Sequence, residues 1–306
     1  MDTKNSEKSM TALVCAFARA YHREVNEVRI FDDSMARELL YDEEYYAISK
    51  NMSDGIDFFN KCFKGDKDEA LRWIVDNQLS PSPLGRGAYA ERSLEMAIRK
   101  GIEQYIIFAA GFDTFGYRQP RWAERLQIFE IDHPLTLEEK VKRLVEKNIN
   151  VPNNVYHIAA DLNEAEWVEK LTAHEAFKGS KKSFCSLLGI TYYISEQSFK
   201  GLLNALNKII PTGSIIVMDY PAREDTFGDK RVKKQEMLAQ AAKEAMVAKY
   251  SDEEINGLFS GCGYQVQELL TPDDITDQFF CHYNMANKDH PIKALLSVNF
   301  LTAVKE

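Results

Sequence analysis

Between Lys8 and about Lys100 the apolar positions fall at helical intervals. Ala12, Leu13, Ala16, Phe17, Ala20 and Tyr21 share one face of a 3.6-residue period, which predicts an amphipathic first helix. The stretch DDSMARELL offers capping residues ahead of a second short apolar stripe. LSPSPLGRG reads as a loop, because its prolines and glycines interrupt a helix. A further helix is expected near Tyr89 to Lys100, stopping at Gly101, and no strand pattern precedes that glycine.

After Gly101 the texture changes to short apolar runs separated by helical segments: QYIIFA, LQIFEI, VYHIAA, SFCSLL and SIIVMD. That alternation predicts an α/β fold with a parallel sheet and crossover helices. Between the fourth and fifth runs, Phe199, Leu202, Leu203, Leu206, Ile209 and Ile210 form one stripe behind Ser195, a ready N-cap. Beyond the fifth run, DKRVKKQEMLAQAAKEAMVAKY reads as a charged inserted helix. A helix capped at Ser251 and two more strand-like runs, YQVQEL and KALLSVNFLTAV, complete the pattern. The expected organisation is one folded unit: a helical N-terminal lid over residues 1–100 and a core over 101–306 with a helical insertion near 221–250.

Composition narrows the function classes. A chain of 306 residues, 45% hydrophobic and 28% charged, has the material for a large core. Its formal net charge of -9 argues against a broad electrostatic footprint for nucleic acid or an anionic membrane. The five cysteines show no paired spacing and no histidines at zinc-site intervals, so they read as reduced side chains without a metal. MDTKNSEKSM lacks the apolar core of a secretory signal and no run approaches bilayer length, so a cytoplasmic location is expected.

Candidate chemistry gathers at the ends of the first three strands. In open parallel sheets ligands bind beyond the carboxyl ends of the strands, where strand order reverses. Ala109, Ala110 and Gly111 follow the first strand and let a ligand approach the backbone, although the full G-x-G-x-x-G pattern of an NAD enzyme is missing. Asp132 ends the second strand 21 residues after Gly111, close to the spacing of about 20 at which a carboxylate meets ribose hydroxyls. Capping of the helix at Pro134 is its alternative role, and Glu130 is the competing carboxylate. Asp161 and Leu162 end the third strand, where an acid beside an apolar side chain suits an adenine ring; helix capping is again the alternative.

The order of these pieces resembles S-adenosylmethionine-dependent methyltransferases of the leucine carboxyl methyltransferase type, including bacterial relatives that methylate small molecules. The resemblance runs through TALVCAFARAYHREV, FDDSMARELL, AERSLEMAIRKGIEQYIIFAAGFDTFGYR, IFEIDHP, AADLNE, LGITYYISEQSFKGLLNAL, GSIIVMDYP and GCGYQVQEL. It implies a Rossmann-like fold with a mostly parallel seven-stranded sheet flanked by helices, and S-adenosylmethionine as cofactor. By position it implies that Arg92 grips the cofactor's carboxylate, that Ala109, Gly111 and Asp113 form its turn, that Asp132 binds the ribose, and that Asp161 and Leu162 meet the adenine.

Two departures stand out: Ala109 replaces the first glycine of the family's turn, and Leu188 stands where relatives carry a glutamate. The implied reaction is methyl transfer to a carboxylate or hydroxyl oxygen of a small molecule. Tyr192, Tyr193, Tyr220, Arg223, His22 and Arg19 are candidate walls for the acceptor, and no nucleophile–base arrangement points to a covalent intermediate. A retired fold acting as a binding protein, and methylation of a partner protein's C-terminus, are the competing uses.

Overall fold

A computed structural model describes residues 9–223, 230–241, 244 and 246–306. Its N-terminal part is helical: α1 (Met10–Val25), α2 (Asp42–Asp54), α3 (Ile56–Phe59), α4 (Lys67–Ile74) and α5 (Pro81–Ile98). The remainder builds a seven-stranded sheet: β1 (Gln104–Phe108), β2 (Gln127–Asp132), β3 (Val155–Ala159), β4 (Ser183–Leu187), β5 (Ile215–Pro221), β6 (Tyr264–Leu270) and β7 (Val298–Lys305). Helices α6 (Pro134–Glu146), α7 (Glu166–Ala173), α8 (Glu196–Ile209), α9 (Lys230–Ala241), α10 (Asp252–Gly261), α11 (Pro272–Ile275) and α12 (Cys281–Ala286) accompany the strands.

The strand order is β3-β2-β1-β4-β5-β7-β6. The first five strands run parallel, and β7 pairs antiparallel with both β5 and β6. Strand order reverses between β1 and β4, which opens a crevice beyond their carboxyl ends.

Both faces of the central strands are covered, which explains their continuous apolar runs. On β1, Tyr105 and Ile107 pack in a cluster with Leu84 and Leu94 of α5, whereas Ile106 and Phe108 pack with Trp167 and Leu203 from the opposite layer. Each such fully buried side chain stabilises the fold by roughly 1.5–3 kcal/mol. Ser195 and Ser251 cap α8 and α10, accepting from the amides of Ser198 and Glu254.

Three segments differ from the sequence expectation. LSPSPLGRG is no loop: α5 begins at Pro81 and carries Pro83, Gly85 and Gly87 inside it. Pro81 and Pro83 occupy the first turn, where backbone N–H groups have no intrahelical acceptor. The glycines are there for close packing: a Cβ on Gly85 would meet the rings of Phe280 and Phe300 at 3.2 Å, and one on Gly87 the ring of Phe31 at 2.9 Å. DDSMARELL forms turns rather than a helix, with Asp33 Oδ1 accepting from the amides of Met35 and Ala36 at 3.1 and 3.0 Å. The charged insertion is helical only over Lys230–Ala241; residues 246–249 are not helical, and 224–229, 242, 243 and 245 lie outside the described residues. Among the described residues no helix is long and apolar enough to cross a membrane, and no group of three or more His, Cys, Asp or Glu is placed to hold a metal ion.

Candidate functional site

A cavity of about 500 Å³ lies beyond the carboxyl ends of β1, β2 and β4, under residues of α1 and α5. Its floor is the turn after β1. Ala109 and Gly111 both have φ of 48°, in the left-handed region. Gly111 adopts that conformation freely, whereas Ala109 holds it against the clash of its Cβ with the backbone. The turn is closed by Asp113, whose amide donates to the carbonyl of Ala110 at 2.7 Å and whose Oδ1 accepts from the amide of Phe115 at 2.8 Å.

Asp132 joins this turn to the end of β2. Its Oδ2 accepts from the Gly111 amide at 2.5 Å and its Oδ1 from the His133 amide at 2.6 Å. Burial pushes its carboxyl above the usual range, against the opposing pull of those two amides. Helix capping is not its role: His133 occupies the N-cap of α6 and accepts from the Leu135 amide. Glu130 is not a ligand candidate either. It is fully buried, accepts from Lys140 Nζ at 2.7 Å and from the Tyr117 hydroxyl at 2.7 Å, and is absent from the cavity wall.

The opposite wall holds Arg86, which the reading of its segment as a loop concealed. Helix α5 carries it over Gly189, whose φ is 71° and where a Cβ would lie 2.4 Å from Arg86 Nη1. Only glycine permits that approach. Arg86 Nη1 lies 3.4 Å from Oδ2 of the fully buried Asp219, which also accepts from the Gly189 amide at 2.6 Å and the Tyr192 hydroxyl at 3.0 Å. Burial disfavours the Arg86 cation, but Asp219 together with Cys15, Tyr192 and Tyr193 outweighs it, and the guanidinium is raised above its ordinary value.

A second charged frame braces the cavity from α1. Arg19 donates to Asp33 at 2.8 Å and to the Phe112 carbonyl at 2.7 Å. Arg118 pairs with Glu91 through both nitrogens and reaches Asp33 at 3.3 Å. Burial works to raise both acids. It prevails at Glu91, whereas Arg19 and Arg118 hold Asp33 below its ordinary value.

Of the residues expected at the site, Ala109, Gly111, Asp113 and Asp132 are brought together around the cavity, with Leu188, Arg19 and Tyr193 also in its wall. Arg92 does not line this cavity: it lies six residues beyond Arg86 on another face of α5, donates to Gln278 at 2.8 Å, and stacks 4.5 Å from the Phe279 ring. Asp161 and Leu162 do not line the cavity, and β2 separates β3 from β1. Asp161 accepts from the Asn163 amide at 2.9 Å, a local turn rather than a cap, and Leu162 packs on the core. Tyr220 is buried with its hydroxyl on Asp252, and Arg223 is exposed on Glu254; neither lines this cavity or the smaller one beside it. His22 is likewise outside, buried against Asn26 and the Ile30 amide.

A second cavity of about 220 Å³ adjoins the first, sharing Thr11, Cys15, Pro83, Arg86, Gly189 and Tyr193 as common wall. Tyr192 belongs to it. Burial raises the Tyr193 phenol to about 12 and lifts Tyr192 further, so both keep their protons at neutral pH.

The leucine carboxyl methyltransferase family model matches residues 12–207. A candidate S-adenosyl-L-methionine-dependent methyltransferase of Bacillus subtilis (strain 168), YktD, is 37% identical over 99% of this chain and 100% of its own length. Two crystal structures share the fold at low identity. A duf574-family protein from Streptomyces avermitilis superposes with a TM-score of 0.60 at 14% identity, covering 98% of this chain and 99% of that one. A candidate methyltransferase from Thermobifida fusca does so with a TM-score of 0.55 at 13% identity, covering 99% and 97%.

Proposed function

The chain belongs to the leucine carboxyl methyltransferase family, and from that premise we propose that it methylates a carboxylate or hydroxyl oxygen of a small molecule. It is an S-adenosylmethionine-dependent methyltransferase on the Rossmann-like fold of that class. The observation that carries the proposed site is the clasp of Asp132 on the Gly111 amide at the point where strand order reverses. It sets a carboxylate and a half-buried backbone turn on one cavity, which is what a ribose with an attached amino-acid chain requires.

In this reading Asp132 takes the ribose hydroxyls on the lone pairs left by its two amides. Ala109 and Gly111 present the backbone to the methionyl chain. Asp113 supplies a carboxylate for the ammonium, and Arg86, in place of Arg92, supplies the fork for the carboxylate. Asp161 and Leu162 remain proposed adenine contacts at the end of β3, beyond the cavity wall.

S-adenosylmethionine, when bound, would supply a sulfonium methyl open to in-line attack by an oxygen nucleophile, with the neutral thioether as leaving group. The protein's part is positioning, which can be worth roughly 7–11 kcal/mol. Tyr192 and Tyr193 hold their protons and do not act as bases, so any proton on the acceptor oxygen leaves to water.

The test is a methyl-transfer assay on the purified chain with small carboxylic acids and phenols, reading S-adenosylhomocysteine formed. Calorimetry with S-adenosylhomocysteine runs beside it. Failure of the folded protein to bind that product at about millimolar concentration sinks the reading.

A further inference from the structure

We propose that the second cavity is the acceptor site and that it selects an apolar, hydroxyl-bearing molecule over a carboxylate, with Gln78 receiving a hydrogen bond from the acceptor's far end. The proposal rests on the methyltransferase reading and narrows it to a substrate class. The cavity adjoins the first along Arg86 and Gly189, so a molecule held in it lies beside the cofactor cavity. Its walls are mainly apolar, with Val14 of α1, Met52 of α2, Leu79, Leu238 of α9, Met246 and Val298 among them.

The charges in that wall are matched to one another. Lys249 Nζ lies 2.7 Å from Glu236, and Arg86 faces Asp219. A carboxylate entering here would be stripped of water on an apolar surface and would find Arg86 already committed to Asp219 and, in the proposed function, to the cofactor's carboxylate.

Among the described residues of that wall, Gln78 is the one with a buried side-chain polar atom left without a partner. It is 2% exposed, its backbone carbonyl is taken by the Gln235 side chain at 2.5 Å, and its side-chain Oε1 has no hydrogen-bond partner. Buried amide oxygens are nearly always paired, and an unpaired one in a ligand cavity marks where a ligand donor belongs. A hydroxyl donates to that oxygen; an ionised carboxylate has no proton to give.

The transfer balances simply. The acceptor hydroxyl releases its proton to solvent water, the O–CH₃ bond forms as the S–CH₃ bond breaks, and the sulfonium becomes a neutral thioether.

The experiment uses the full chain saturated with S-adenosylhomocysteine and three probes on one skeleton: 2,6-dihydroxynaphthalene, 2-naphthol and 2,6-naphthalenedicarboxylate. The diol is expected to bind about tenfold or more tightly than the dicarboxylate, and more tightly than 2-naphthol. Gln78→Leu should erase the diol's advantage over 2-naphthol while product affinity stays within about twofold, because Gln78 does not line the first cavity. Should that variant not fold, Val14→Phe, which fills the cavity with apolar volume, should weaken the diol about fivefold or more.

A dicarboxylate that binds as well as the diol, absence of diol binding, or a diol preference that survives Gln78→Leu in folded protein overturns the acceptor assignment alone. Failure of the wild type to bind S-adenosylhomocysteine overturns the methyltransferase reading beneath it.

Discussion

Arg86 lies over Gly189 with its guanidinium 3.4 Å from Asp219, and this pair forms the partition between the two cavities. Arg86→Lys keeps the charge but loses the planar fork, so it should weaken S-adenosylhomocysteine by about 1.5–3 kcal/mol in calorimetry while the protein stays folded. Unchanged affinity would remove Arg86 from the cofactor site.

Arg92 provides the matching control. It contacts Gln278, Glu268 and the Phe279 and Tyr89 rings, away from the cavity. Arg92→Ala should leave S-adenosylhomocysteine affinity within about twofold and cost about 0.5–1 kcal/mol of stability through the lost stacking. A large drop in affinity at unchanged stability would restore the role that the sequence resemblance implied.

Asp132→Asn tests the clasp between β1 and β2. An amide can turn only one oxygen toward the two backbone donors, Gly111 and His133, and must set its own N–H₂ against the other. The expected loss is about 1–3 kcal/mol of folding stability by urea titration, together with weaker binding of S-adenosylhomocysteine. Equal stability of variant and wild type would show that the clasp contributes nothing to the fold.

Ala109 sits at φ 48° without glycine's freedom. Ala109→Gly relieves that clash but loosens the unfolded chain, and the balance should be a gain of roughly 0.5–1 kcal/mol. Ala109→Val should lose stability, because branching at Cβ makes the same conformation worse. Denaturation midpoints that fall for the glycine variant would contradict the strain.

His22 sets a pH dependence. Burial lowers its pKa to about 3, with the Arg72 and Arg29 charges adding to the effect, and its Nε2 accepts from the Ile30 amide at 3.0 Å. The folded chain thus refuses a proton that the unfolded chain takes below its ordinary value near 6.5. This contribution to stability is complete above pH 6.5 and drains away as pH falls toward 3, at about 1.4 kcal/mol per unit. Between pH 7 and 5 the loss should be about 2 kcal/mol. His22→Gln should flatten that slope in urea titrations at the two pH values; an identical slope would contradict the assignment.

The sheet was legible because parallel strands covered on both faces must be apolar throughout, and each of the first five runs became a strand. The turn and Asp132 were legible from spacing. Arg86 was hidden, because proline and glycine normally break helices; at Pro81 and Pro83 the first turn tolerates them, and at Gly85 and Gly87 the neighbouring rings require them. Those rings, Phe31, Phe280 and Phe300, come from distant parts of the chain, so no local pattern announces them. Arg92 falls outside the cavity wall for the related reason that one helix carries both arginines on different faces. Gln78 and the second cavity depend on α1, α5 and α9 converging, which a linear pattern does not express.

The placement of β7 has a consequence for assembly. Strand β6 has β7 as its one neighbour in the sheet, and β5 meets β7 along its whole length, yet β7 follows both in the chain. During synthesis β6 therefore emerges with nothing to pair with, and β5, which carries Asp219, presents an open edge. The last strand closes both gaps in one step by sliding between them. The partition that Asp219 holds with Arg86 is thus among the last parts of the molecule to gain a finished foundation, and an interruption in residues 298–305 would reach the candidate site from its far side.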